Sequence, residues 1–321
     1  MSAQSPDAAG DPDVVAGSGR RCLRVVPGAV LLLTVALVVA RTWSALVVNH
    51  VAYPIVLLLA LGVGVWLLAT GLVRRPPARR GAGRLVARVL GAAAGVGLAA
   101  TLLWLEPFVA EPVAVTAWGG SAAVSVDDSR TATVYEPAST PRAGLVLVPG
   151  ARVDPRAYAV LASRVAEKGF RVVVLKCPFD LALLCPDAPS TYVDASLPWA
   201  VGGHSLGGVV AAEYAATHPG VDGLVLWASY PLEDMSGRTG LAVTTIGGSE
   251  DALSTPEKID ERMELLPPST VRVEIAGGIH SFFGDYGLQP GDGVATTSRE
   301  QAQAEIVAAT VAMLDRISAQ P

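Results

Sequence analysis

The stretch Trp199-Ala-Val-Gly-Gly-His-Ser-Leu-Gly-Gly208 decides how the rest of the chain is read. Trp199–Gly202 has the pattern of a short strand, and Leu206–Thr217 that of a helix. Between them stands Gly203-His-Ser205-Leu-Gly207, a Gly-x-Ser-x-Gly pattern. A serine at such a strand–helix junction sits on a sharp, strained turn that tolerates only small neighbours. Gly203 and Gly207 meet that need. The turn lifts the Ser205 hydroxyl clear of the sheet. The Leu206 N–H, in the first turn of the helix, is then free to meet a developing oxyanion. His204 is covalently next to Ser205, so it is read as a support of the turn and not as a base.

Outward from this turn, short β-branched runs alternate with helical ones. Strands are expected at 131–135, 144–148, 171–176, 223–227, 242–246 and 271–275. Helices are expected at 154–168, 255–266 and 298–317, with Asp154, Thr255 and Ser298 as N-caps. Strand–helix alternation predicts a mostly parallel sheet flanked by helices.

A serine hydroxyl needs a general base, and the base needs an orienting carboxylate. Downstream of Ser205 there are two histidines, His218 and His280. His218 ends a helix, where it caps the C-terminus. His280 follows the strand 271–275 and a Gly-Gly turn, at the carboxyl edge where open α/β sheets place their chemistry. Asp251 and Glu250 follow the strand 242–246 and a Gly-Gly-Ser turn, again on that edge. Asp251 is preferred, with Glu250 and Asp285 as alternatives. A second oxyanion donor is expected in the loop after strand 144–148, from the Ala151 N–H, with Arg152 next. Arg152 is also a candidate for a surface salt bridge or for an anionic substrate group.

These stretches resemble the α/β-hydrolase superfamily, and within it the dienelactone-hydrolase-like "alpha/beta hydrolase fold-5" group, often membrane-anchored in bacteria. The resemblance rests on Val148-Pro-Gly-Ala-Arg-Val-Asp-Pro155, Gly202–Gly208, Gly248-Ser-Glu-Asp251, Gly277-Gly-Ile-His-Ser-Phe-Phe-Gly-Asp-Tyr-Gly287, Gln289-Pro-Gly-Asp-Gly293 and Gln301. It covers about residues 128–318. Where relatives commonly carry Asn before the histidine, this chain has Ile279. The resemblance implies an α/β-hydrolase fold and a triad of Ser205, Asp251 and His280. Only 46 positions separate Ser205 from Asp251, which leaves no room for a large lid. Cys177 and Cys185, eight positions apart, are a candidate disulfide in an oxidising compartment.

The N-terminal third is different in kind. Residues 1–112 carry ten arginines against five acids, and the remainder carries fourteen basic residues against 24 acids. Within the basic part lie three apolar runs, predicted to be spanning helices at about 23–40, 51–73 and 85–105. Each is near the 20 residues that a bilayer requires. The first is also compatible with a cleaved signal segment, with Val38-x-Ala40 at its end. Residues 1–22 read as a disordered tail, 23–106 as the transmembrane region and 113–321 as the hydrolase domain. Arginines cluster before the first run and between the second and third, so those stretches are predicted to be cytoplasmic. Three crossings then place the hydrolase domain outside the cytoplasm.

Taken together, 51% hydrophobic residues, 17% charged residues and a mean hydropathy of +0.45 exclude a disordered chain, a nucleic-acid binder and an ordinary soluble enzyme. The expectation is a membrane-anchored serine hydrolase cleaving a small-molecule or lipid ester, with no cofactor and no metal. An acyltransferase acting on a cell-envelope acceptor, and a non-catalytic binding module on the same scaffold, are the alternatives.

Overall fold

A computed structural model of the chain describes residues 12–73 and 82–319. The chain divides into two compact units. One comprises the N-terminal helices up to Trp43 together with Tyr53–Glu106. The other comprises Ser44–Ala52 and everything from Pro107 onward.

The first unit is built from most of three helices, α1 (Pro12–Leu46), α2 (Ala52–Leu72) and α3 (Ala82–Trp104). Stretches of 24, 21 and 20 residues within them are long and apolar enough to cross a membrane. The expected basic loop falls largely on residues 74–81, and most of the expected tail on residues 1–11; both lie outside the described residues. The remainder of that tail is a correction, because α1 is already helical from Pro12, ahead of the predicted start at 23. The first helix also runs on past Arg41, where its apolar run stops. Arg41 is accommodated by an ion pair with Glu106. Gly28 and Gly64 bring α1 and α2 together. A Cβ at Gly28 would lie 2.8 Å from the Leu68 nitrogen and 3.0 Å from the Gly64 carbonyl oxygen, so backbone meets backbone there. Leu33, Leu37, Leu58, Leu59, Trp66 and Leu90 remain exposed on this unit. Such an apolar exterior suits lipid better than water.

An eight-stranded sheet organises the second unit: β1 (Val124–Asp128), β2 (Ala132–Pro137), β3 (Gly144–Val148), β4 (Arg171–Leu175), β5 (Trp199–His204), β6 (Gly223–Trp227), β7 (Ala242–Gly248) and β8 (Val271–Ile275). Their order is β1-β2-β4-β3-β5-β6-β7-β8. From β4 to β8 every pairing is parallel, and β1 and β2 are antiparallel. The central strands β3, β5 and β6 are buried along their whole length. A parallel strand covered on both faces requires this, and it explains their continuous apolar sequence. The helices are α4 (Pro112–Ala117), α5 (Ala159–Ala166), α6 (Leu206–Thr217), α7 (Pro256–Glu261) and α8 (Arg299–Ser318).

The expected caps are present. Asp154 accepts from Arg156 N, Thr255 from Lys258 N and Ser298 from Gln301 N. Two helices are shorter than the pattern predicts. The first turn after Asp154 is a 3-10 turn, Pro155–Tyr158, before α5 begins. The run after Thr255 breaks at Arg262 into a second 3-10 turn. Strand β1 and helix α4 were not expected. In β1 the acidic pair Asp127-Asp128 masks a strand whose outer positions are exposed.

The loop after β4 is closed by a disulfide between Cys177 and Cys185. Cross-linking a loop of this length stabilises the fold by about 2–3 kcal/mol through the unfolded chain. The paired Cys177→Ser, Cys185→Ser variant is therefore expected to unfold several degrees lower in a thermal melt. Reductant should lower the melting temperature of the wild type by the same amount and leave that of the variant unmoved.

Candidate active site

Ser205 sits between β5 and α6 with φ 53° and ψ −125°, a conformation that few residues other than glycine adopt. Close packing enforces it. A Cβ on Gly203 would run into the backbone of Gly207, and one on Gly207 would run into the Val148 carbonyl of β3. The turn is further tied to β6: Ser205 N donates to Trp227 O at 2.9 Å, and Ser229 Oγ donates to Ser205 O at 2.7 Å. The serine itself is half-buried. Its hydroxyl makes no hydrogen bond among the described residues.

Two other predicted residues meet directly. His280 Nδ1 and Asp251 Oδ2 are 2.8 Å apart, and both side chains are buried. The second Asp251 oxygen accepts from Leu253 N at 2.8 Å and Ser254 N at 2.7 Å. Three hydrogen bonds hold the carboxylate in place, and it acts as acceptor toward the imidazole. His280 Nδ1 therefore carries the proton, and Nε2 is left as the acceptor. This Nε2 is buried and has no partner among the described residues. The His280 ring lies 4.6 Å from that of His204, the residue preceding the serine.

The alternatives are otherwise employed. Glu250 is exposed. Asp285 is buried and accepts from Gln303 Nε2 at 3.1 Å, with Arg299 3.7 Å away on α8. His218 ends α6, stacked on Tyr214, with Nδ1 at 2.9 Å from the Tyr214 carbonyl. Arg152 places its guanidinium over the Phe108 ring at 5.1 Å.

The two expected oxyanion donors have free amides: neither Ala151 N nor Leu206 N has an acceptor among the described residues. Ala151 belongs to a loop held firmly on both sides. Gly150 N donates to the Tyr158 hydroxyl at 2.8 Å, and Arg152 N to Asp180 O at 2.7 Å. Phe108 pairs with Val153 as an isolated bridge, through Phe108 N to Arg152 O at 2.7 Å and Asp154 N to Phe108 O at 3.0 Å. The buried Asp154–Arg156 ion pair lies next to it, and Asp154 also accepts from Ala110 N.

Two contributors were not legible in the sequence. Asp292 accepts from His280 N at 3.1 Å and from Ser281 N and Oγ at 2.8 Å, pinning the turn that carries His280. Its only sequence signal was a place in the Gln289–Gly293 stretch. Tyr158 links the oxyanion loop to the serine turn. Its hydroxyl accepts from Gly150 N and is hydrogen-bonded to His204 Nδ1 at 2.9 Å. Among the described residues no group of three or more His, Cys, Asp and Glu side chains is arranged to hold a metal ion.

Burial, and then the neighbouring His280, hold the His204 pKa well below the ordinary 6.5. The folded protein therefore keeps His204 neutral where the unfolded chain would protonate it. The resulting stability is complete above pH 6.5 and is lost as pH falls below it. One such group contributes a slope of up to about 1.4 kcal/mol per pH unit. His204→Asn, which keeps a hydrogen-bonding side chain beside Tyr158, should flatten the decline in melting temperature between pH 6.5 and 4.5. An unchanged acid limb would show that other groups govern it.

The model of the alpha/beta hydrolase family matches residues 144–304, half of the chain. No curated protein matches. Among solved structures, a dienelactone hydrolase-like promiscuous phosphotriesterase from metagenomic libraries is 19% identical, with a TM-score of 0.47 over 61% of this chain and 99% of that one. The protein TT1662 from Thermus thermophilus is 16% identical, with a TM-score of 0.45 over 62% of this chain and 99% of its own. With a mostly parallel sheet flanked by helices and a family match that spans β3 to α8, the chain belongs to the alpha/beta hydrolase family.

Proposed function

We propose that the protein is a membrane-anchored serine hydrolase that cleaves carboxylic esters through Ser205, His280 and Asp251. The observation that carries this reading is the buried 2.8 Å His280–Asp251 pair on the edge where Ser205 is held in its strained turn. Ser205 Oγ attacks the ester carbonyl carbon while His280 Nε2 takes its proton. The contact between them tightens as substrate binds, as is usual in unliganded sites. The carbonyl oxygen becomes an oxyanion facing the Leu206 and Ala151 amides. Each such donor is worth roughly 3–4 kcal/mol of transition-state stabilisation. The C–O bond to the alcohol then breaks, and His280 returns the proton to the leaving oxygen. Water, deprotonated by the same nitrogen, adds to the acyl-enzyme and releases the acid and Ser205. Asp251 holds the imidazole in the required tautomer and stabilises its transient charge. Asp292 is a positioning residue for the loop of His280.

We infer further that α1, α2 and α3 anchor the chain in a membrane with the hydrolase unit outside the cytoplasm. Two observations support this topology. The segment Ser44–Ala52, between α1 and α2, belongs to the same compact unit as the sheet, so both lie on one side. That unit also carries the Cys177–Cys185 disulfide, a bond favoured in oxidising compartments.

A fluorophosphonate probe tests the chemistry. Wild type should label covalently, Ser205→Ala should not, and His280→Ala should label at least 10³-fold more slowly, the size of effect usual for a triad base. Equal labelling of wild type and Ser205→Ala would refute the assignment. For the topology, alkaline phosphatase fused after Pro321 should be active and a cytoplasmic fluorescent reporter at the same point dark. The reverse pattern would overturn the orientation.

A further inference from the structure

Five residues other than glycine hold a positive φ among the described residues: Arg152, Phe179, Asp180, Ser205 and Ala228. Such conformations persist only where the surroundings enforce them, and they gather at functional sites. Ser205 is the nucleophile turn, and Ala228 precedes Ser229, whose hydroxyl bonds to the Ser205 carbonyl. The other three meet at one hydrogen bond, in which Arg152 N donates to Asp180 O at 2.7 Å. Their φ values are 60° at Arg152, 57° at Phe179 and 50° at Asp180. Strain on both sides of this bond adjoins the expected oxyanion donor, because Ala151 directly precedes Arg152.

Phe179 and Asp180 lie within the loop that the Cys177–Cys185 disulfide closes. The loop is otherwise built from single 3-10 turns, Pro178–Asp180 and Ala182–Leu184. Their bonds are local, such as Asp180 N to Cys177 O at 3.0 Å and Leu184 N to Leu181 O at 2.9 Å. Turns of this kind have poor hydrogen-bond geometry and little stability of their own. The buried Asp180 carboxylate adds a contact of 3.4 Å from Asn49 Nδ2. Two consecutive left-handed residues in so short a segment therefore draw on the covalent closure to stay as they are. Cys185 is half-buried and follows the exposed Leu184, which leaves the closure within reach of a small thiol reagent.

Ala151 stands between two clamped neighbours. Gly150 N donates to the buried Tyr158 hydroxyl at 2.8 Å, and Arg152 N to Asp180 O. With the second clamp released, Arg152 relaxes toward negative φ and the backbone of Ala151 is held from one side only. An oxyanion donor acts only when it is aimed at the place where charge develops, so its misalignment costs transition-state stabilisation and not substrate binding.

We propose that the Cys177–Cys185 disulfide is a redox switch on the oxyanion hole: closed, it holds Asp180 against Arg152 and keeps the Ala151 amide in place; opened, it releases both and lowers kcat. The effect on kcat rests on the serine hydrolase reading above; the mechanical coupling does not. A dithiol opens the switch by exchange. Its first thiolate attacks one cysteine sulfur, the S–S bond breaks, and its second thiol then closes the reagent's own disulfide. Two electrons and two protons pass to Cys177 and Cys185. The oxidised form, favoured outside the cytoplasm, is the active one.

The test uses the full chain in lipid nanodiscs, in a Cys22→Ser background, below the melting transition of both redox states. Dithiothreitol should lower kcat on nitrophenyl acetate by about tenfold and leave KM within about twofold, as when an interaction made only in the transition state is weakened. Oxidised glutathione should restore kcat after the dithiol is removed. The Cys177→Ser, Cys185→Ser variant should start at the lower kcat and not respond to dithiothreitol. Hydrogen exchange over residues 150–154 should speed up in the reduced wild type and in that variant. Unchanged exchange, or unchanged kcat, overturns the switch, as does an equal loss of kcat in the variant on adding dithiothreitol. A raised KM with constant kcat would make the loop a wall of the substrate site and would overturn it too. Absence of both turnover and fluorophosphonate labelling in the oxidised wild type would instead refute the hydrolase reading, and the exchange measurement would still decide the coupling.

Discussion

Everything near the site depends on how closely the backbone around Ser205 approaches its neighbours. Gly207 lies against the carbonyl of Val148 at the end of β3, and Gly203 lies against Gly207 across the turn. No side chain fits in either place. The resulting geometry holds the serine at positive φ and aims the first turn of α6 at the same point as the loop after β3. A rigid parallel sheet, buried on both faces at β3, β5 and β6, supplies the force that maintains this strain. The strained conformation of Ser205 is thus a property of the sheet as much as of the residue.

Around that fixed point the remaining groups are set by hydrogen bonds from distant parts of the chain. Asp251 is held by its own turn and by His280, and Asp292 holds the backbone of His280 from beyond. Tyr158 spans from Gly150 to His204, so the loop of Ala151 and the serine turn share one hydroxyl. Each of these bonds lies at a strand's carboxyl end, where helix starts and loop amides converge. The segments that adjoin the apolar helices converge there too, through Phe108 on Val153 and Val48 on Lys176.

Much of the fold was legible because its signals are local. Continuous apolar runs bounded by turns announced β3, β4 and β6, and the caps at Asp154, Thr255 and Ser298 each receive the expected amide. Strand β1 was hidden because an edge strand with one exposed face tolerates Asp127 and Asp128. Helix α1 runs on past Arg41, which pairs with Glu106, 65 positions away, a partner that no local pattern reveals. At the site, Ser205, Asp251 and His280 could be named from chain order and turn residues. Tyr158 and Asp292 could not, because a tyrosine in a helix start and an aspartate in a Pro-Gly turn each have a common local explanation.

By itself the sequence determined which residues carry reactive groups, which runs are apolar enough to cross a membrane, and in what order strands and helices follow one another. These depend on side-chain chemistry and on periodicity within a few residues. The tertiary structure decided what meets what. It joined His280 to Asp251 and left Asp285 to α8; it gave the oxyanion loop its supports from Asp180 and Phe108; and it brought Ser44–Ala52 into the hydrolase unit. Contacts between residues tens of positions apart are set by the packing of the whole sheet, and no window along the chain contains both partners.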